Sequence, residues 1–127
     1  MKDTAVDMVV VEGERHTAVL LSGEMDLLSA PSVREQLWEL VSERPLVVDV
    51  SGVSYFDAEG LRIVAATARR GLECGTGLAL VGMRPFTEQM FRALRMDEEV
   101  PLCSSVQEAL WCLLPRTDEE IEDWLLG

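Results

Sequence analysis

Two short apolar runs constrain this chain more than any other feature. Leu46-Val47-Val48-Asp49-Val50 and Leu78-Ala79-Leu80-Val81 carry apolar side chains at consecutive positions rather than alternate ones. A strand of that kind must be covered on both faces. Each run is followed by residues with a helical period. After the first, Leu61, Val64, Ala65, Ala68 and Leu72 form an apolar stripe, with Arg62, Arg69 and Arg70 opposite. After the second, Pro85 opens a stretch carrying Phe86, Met90, Phe91 and Leu94. Strands alternating with amphipathic helices imply a parallel sheet whose helical crossovers pack on it.

The flanking sequence completes the pattern. Val6 to Val11 and Thr17 to Leu21 read as two strands, joined through Glu12-Gly13-Glu14-Arg15 as a hairpin turn. Gly23-Glu24-Met25-Asp26 is expected to break the second strand. Ser29 is placed as an N-cap and Pro31 in the first turn of a helix that buries Ala30, Val33, Leu37, Leu40 and Val41. Gly71, Gly75 and Gly77 end the second helix. Val100 to Cys103 reads as a last strand, and Pro101 puts it at an edge, because proline cannot donate to a ladder. Ser105-Val106-Gln107-Glu108 has the form of a capping box, opening a helix that buries Val106, Ala109, Leu110, Leu113 and Leu114 and stops at Pro115.

The expected class is therefore α/β, in the order β-β-α-β-α-β-α-β-α, with a mixed and mostly parallel sheet. The chain has 127 residues, 48% of them hydrophobic, enough for one core and one domain. That domain is placed at residues 1–115. Residues 116–127 form an acidic tail, expected as a short helix with Thr117 and Glu120 as its capping pair and Ile121, Trp124 and Leu125 on one face. It either folds back on the domain or serves as an arm for a partner or a second protomer; a monomer or weak homodimer is expected.

Charge removes several functions. The net charge is −12, from 23 acids against 11 bases, so the clustered cations that hold nucleic acid are missing. Lys2 is the only lysine, which removes a P-loop, a Schiff base and the lysine of a phosphorelay receiver. The single histidine, His16, follows a charged turn and is expected solvated; it cannot build a His-based metal site. Cys74, Cys103 and Cys112 lack CxxC spacing, and Cys103 and Cys112 are expected as core residues. No metal, no cofactor and no catalytic constellation is indicated. Met1-Lys2-Asp3-Thr4 lacks the layout of a secretory signal, and no apolar run reaches the roughly 18 residues of a membrane span. A cytoplasmic protein with no membrane contact is expected.

The most informative segment is Tyr55-Phe56-Asp57-Ala58-Glu59-Gly60-Leu61, between the third strand and the second helix. Taken alone, Asp57 serves as an N-cap and Glu59 as a first-turn complement to the helix dipole. In context, Gly23-Glu24-Met25-Asp26 resembles the Gly-Glu-Leu-Asp signature of the STAS family, the domain of anti-sigma factor antagonists. Ser29 to Leu37 follows as that family's first helix does. Val47 to Leu61 resembles its central strand, loop and second-helix start, where the family pattern reads Asp-Ser-Ser-Gly or Asp-Ser-Thr-Gly. Glu108-Ala109-Leu110 resembles its closing helix. The likeness spans about Val6 to Leu114.

The resemblance implies a STAS-type fold and a protein-binding regulatory module rather than an enzyme. Its implied partner is an anti-sigma factor with a kinase-like ATP-binding fold. In that family the second hydroxyl residue of the motif is phosphorylated by the partner, and the unphosphorylated antagonist captures it. Here Ala58 and Glu59 occupy the two hydroxyl positions. Asp57, Ala58, Glu59 and Gly60 therefore form a degenerate phosphosite and the expected partner-binding loop. Asp26, Ser54, Arg62 and Ile63 are placed on the surrounding contact face, Ile63 as an exposed side chain. Glu59 is either a permanent partial mimic of the phosphorylated state or only a helix cap. Ser51, Ser54 and Thr67 are the alternative hydroxyls, Ser54 first among them. A second reading is a STAS scaffold or an accessory subunit of a signalling or transporter complex without phospho-regulation.

Overall fold

A computed structural model describes residues 6–26, 28–114 and 118–126. Strands β1 (Val6–Glu12) and β2 (Thr17–Met25) lead into helix α1 (Ala30–Glu43). Next come β3 (Leu46–Phe56), α2 (Ala58–Glu73), β4 (Leu78–Val81) and α3 (Pro85–Ala93). A 3-10 turn at Met96–Glu98 precedes β5 (Leu102–Cys103), α4 (Val106–Leu113) and α5 (Asp118–Leu126). The sheet order is β1-β2-β3-β4-β5. β1 pairs antiparallel to β2, and every other pairing is parallel. This is the element order expected above.

The consecutive apolar runs do what their pattern requires. Leu46, Val48, Val50, Leu78 and Leu80 face one side of the sheet and join Val33, Leu37 and Val41 of α1 and Leu61, Val64 and Ala68 of α2 in the main core. Val47, Ala79 and Val81 face the other side and pack with Cys103 and Ala109 beneath α4. Among the described residues β1 and β2 have no such second cover, and Val9, Val11 and Leu20 are exposed. Arg70 of α2 lies over the Trp38 ring of α1 at 5.7 Å, a contact that ties the two helices together.

Several expectations are corrected. Gly23-Glu24-Met25 does not break β2; the strand continues to Met25, with register shifts against β3 and Gly23 at φ 104°. A glycine at positive φ allows a bulge within a strand, so it need not end one. β3 likewise runs on to Phe56, past the run that announced it. Leu72 of the second helix's stripe and Val106 are exposed, not buried, and Phe86 and Leu94 of α3 are exposed as well. Their spacing fits a helical stripe, but each stands near one end of its helix, beyond the part that overlaps the sheet. Leu110 and Leu113 are partly buried against the second core. His16 is half-buried rather than fully solvated. The capping box is half formed: Ser105 Oγ accepts from Glu108 N–H at 3.1 Å, but the Glu108 carboxylate accepts from Ser104 Oγ at 2.7 Å. The pair Thr117–Glu120, the stop at Pro115, the boundary at residues 115 and 116, and the side chains of Ile121 and Trp124 lie outside the described residues.

All three cysteines are free thiols, with Cys103 buried and Cys74 and Cys112 exposed, so Cys112 is not a core residue. Burial pushes the Cys103 thiol up to about 12, with the neighbouring Cys112 thiol and Glu108 adding to the shift. Almost none of it is therefore thiolate, the reactive form, at pH 8. Iodoacetamide at that pH is expected to modify Cys74 in the folded protein and to spare Cys103 until the chain unfolds, read by peptide mass spectrometry. Parallel alkylation of Cys74 and Cys103 would contradict the burial described here.

Candidate functional site

β2 and β3 end side by side at the carboxyl edge of the parallel strands, with Met25 paired to Phe56. Each hands the chain to a helix, so two loops meet there. In open α/β sheets this edge is where binding surfaces collect.

The β3–α2 loop is built from its own residues. Asp57 sits in extended geometry at φ −97° and ψ 179°, and its carboxylate accepts from Gly60 N–H at 2.9 Å. It thereby satisfies one of the orphan donors at the start of α2. Its own N–H donates to Met25 O at 3.1 Å, binding the loop to the end of β2. Gly60 lies where α2 crosses that strand end; a Cβ there would stand 2.3 Å from Met25 O. The glycine of the motif is thus required by a close approach of backbone to backbone.

Ala58 and Glu59 occupy the first turn between these two fixed points, both half-buried. Glu59 Oε1 meets Arg62 Nη1 at 2.5 Å, an exposed i,i+3 pair. Such a pair contributes roughly 0.3–0.5 kcal/mol, and the carboxylate also complements the helix dipole. No hydroxyl stands at either position.

The β2–α1 loop is closed by Asp26. Its Oδ1 accepts from the N–H groups of Leu28 (3.0 Å) and Ser29 (3.1 Å) and from Ser29 Oγ (3.1 Å). The Ser29 N–H is the largest of the influences that hold the Asp26 carboxyl below its usual range, against desolvation. Ser29 does not cap α1 with its side chain. Its hydroxyl is turned back to the end of β2 instead, donating to Glu24 O at 2.9 Å and accepting from Asp26 N–H at 3.1 Å. Sequence reasoning gave the cap to Ser29 and missed the Asp26 turn, although an aspartate two residues before a loop N–H is the signal of such a turn.

Of the remaining expected residues, Ser54 is exposed at the end of β3 and donates to Gly23 O at 3.2 Å. Ile63 is half-buried and packs against the main core, so it is not the exposed contact expected of it. Thr67 is fully buried and donates to Ile63 O, which withdraws it from any modifying enzyme. Ser51 is exposed in β3. A groove of about 580 Å³ runs between β1 and the start of α1, lined by Asp26, Ser29 and Gln36 among others. It contains none of Asp57–Gly60 and is a neighbour of the motif rather than part of it. Among the described residues no three of His, Cys, Asp and Glu converge as metal ligands, and no helix is long and apolar enough to cross a membrane.

The arrangement is a preorganised surface: two loops pinned to each other, a fixed helix start and one carboxylate held on it. Residues 8–108 match the family model described as Mlab, STAS domain. The chain is 29% identical over 112 residues to the anti-sigma-F factor antagonist RsfB of Mycobacterium tuberculosis, covering 84% of this chain and 91% of RsfB. The crystal structure of an anti-sigma factor antagonist from Mycobacterium paratuberculosis is similar, with a TM-score of 0.75 and 28% identity over 88% of this chain and 97% of that one. A STAS-domain anti-sigma-factor antagonist protein from Planctomyces limnophilus shares the fold, with a TM-score of 0.71 and 19% identity over 83% and 96% of the two chains.

Proposed function

The chain belongs to the STAS domain family, and from that premise we propose that it is an anti-sigma factor antagonist whose phosphorylation site is replaced by a fixed anion. It is a binding module of the cytoplasm and not an enzyme, with residues 1–115 as the binding domain. Its partner is an anti-sigma factor with a kinase-like ATP-binding fold, captured on Asp57–Gly60 together with Asp26, Ser54 and Arg62. The observation that carries this reading is the carboxylate of Glu59, held in the first turn of α2 between Asp57 and Gly60, whose backbone positions are fixed.

The electrostatics make the replacement partial. Glutamate brings one negative charge and two acceptor oxygens, where a phosphoserine brings about −1.5 to −2 and three. The Arg62 guanidinium offsets part of that single charge. Glu59 therefore lowers affinity for a partner that prefers the unphosphorylated antagonist, without the full effect of a phosphate. The net charge of −12 suits a basic docking surface and speeds the encounter.

The test is a pull-down from native lysate with the wild-type chain and Glu59→Ser, followed by a titration of the recovered partner. Glu59→Ser is expected to bind an ATP-binding anti-sigma factor about 5–10-fold more tightly, roughly 1 kcal/mol, and to take up phosphate from ATP in its presence. Equal recovery of the same non-kinase proteins by both forms would reduce Glu59 to a helix cap. It would move the chain to a scaffold or accessory role, which the lack of a hydroxyl at Ala58 and Glu59 suits as well.

A further inference from the structure

The two edges of the sheet are unlike. β5 is two residues long and follows Pro101, so that edge offers almost nothing to pair with. β1 is seven residues long, Val6-Asp7-Met8-Val9-Val10-Val11-Glu12, with no proline, glycine or lysine. Its register against β2 runs without a shift from Val6↔Gly23 to Glu12↔Thr17. Val9, Val10 and Val11 are 57%, 44% and 51% exposed at consecutive positions, so both faces of this edge are apolar. Its two charges, Asp7 and Glu12, stand near the ends of the strand, and among the described residues the stretch from Met8 to Val11 between them carries none of the devices that blunt a free edge.

The backbone of β1 can be assigned from the hairpin. Gly13 N–H donates to His16 O at 2.9 Å, in the same register as the strand pairs. Thr17 N–H turns the other way, to Pro45 O at 2.9 Å, so Glu12↔Thr17 is a non-hydrogen-bonded pair. Antiparallel ladders alternate. Val11, Val9 and Asp7 therefore bond to β2, while the N–H and C=O groups of Met8 and Val10 point out from the edge.

We propose that β1 is a dimer edge, pairing antiparallel with β1 of a second copy about a two-fold axis at Val9 and joining two sheets into one of ten strands. The strand is self-complementary in this register. Met8 of each copy meets Val10 of the other as a hydrogen-bonded pair, using the outward backbone groups. Val9 meets Val9 as the closely spaced pair on the axis. Asp7 faces Val11 and Glu12 faces Val6, so no like charges stand opposite each other. The symmetry is that of an isologous interface, and each copy supplies what the other lacks. A net charge of −12 per copy opposes the association at long range, so salt strengthens it.

Sedimentation velocity on the full chain at about 100 μM, in about 20 mM and about 500 mM NaCl, tests this directly. A dimer fraction that rises with salt is expected. Val9→Lys, which places two cations together on the axis, is expected to weaken dimerisation at least ten-fold. Leu72→Lys makes the same change in net charge at an exposed position of α2 and is expected to leave the dimer intact. Hydrogen exchange supplies a readout that does not depend on a variant. The Met8 and Val10 amides should slow as protein concentration rises, while those of Val9 and Val11 are slow throughout. A chain that stays monomeric in high salt overturns the proposal. A dimer indifferent to Val9→Lys, or one whose Met8 and Val10 amides exchange as in the monomer, overturns it equally.

Discussion

Gly60→Ala is expected to destabilise the protein by about 2–3 kcal/mol, a fall in melting temperature on the order of 10 °C. In an ordinary helix the same change is stabilising by up to about 1 kcal/mol, because alanine loses less conformational freedom than glycine. The sign reverses here because the new Cβ would stand 2.3 Å from Met25 O, 3.0 Å from Met25 C and 3.0 Å from Met25 Cβ. Backbone atoms in a central strand cannot swing aside as a side-chain tip can. α2 must instead lift from the end of β2, which strains the bond from Asp57 N–H to Met25 O. The variant should therefore lose partner affinity as well as stability. Thermal melting checks the first effect, and an unchanged or raised midpoint would contradict the close approach.

Phe91→Ala carries the largest expected cost, about 3–5 kcal/mol. Phe91 is fully buried in the main core, and it and Thr87 are the only buried residues of α3. Phe86, five residues earlier and on another face of the helix, is 76% exposed. Phe91 is thus the one aromatic anchor of α3, with Met90 half-buried beside it against the same core, and truncating the ring leaves both a cavity and a weakly held helix. Hydrogen exchange is expected to show α3 amides losing protection before those of β3 and α2. Uniform loss across the chain, or a cost below about 1 kcal/mol, would contradict the single-anchor account.

The contrast between Phe86 and Phe91 shows where the sequence was readable. Periodicity placed every helix and strand in the right order, because two buried runs and their amphipathic followers admit few alternatives. It could not say how wide a stripe each helix buries. That depends on how far the helix overlaps the sheet, so Leu72 and Val106 fit the stripes of their helices and yet lie beyond the core. The motif Asp57–Gly60 was legible in residue type, and the Asp57 cap formed as its chemistry suggests. The reason for Gly60 was not legible, since it depends on Met25, 35 positions away in the chain and adjacent only in the fold. The same holds for Ser29, whose hydroxyl was claimed by a strand-end carbonyl and an aspartate rather than by its own helix. Ile63 was misjudged because a position beside the main stripe can still reach the core.

Glu59 presents a carboxylate on a surface pinned by Asp57, Gly60 and the Asp26 turn, and we propose that this surface receives the partner. Hydrogen exchange on the full chain, free and bound to whichever partner the pull-down recovers, tests that proposal most directly. Protection is expected at the loop after β2 and over the first two turns of α2, from Asp26 to Ser29 and from Asp57 to Ile63. Protection confined to α4 or to the outer face of β1 and β2, with the amides of Ala58 to Arg62 exchanging as in the free chain, would contradict it.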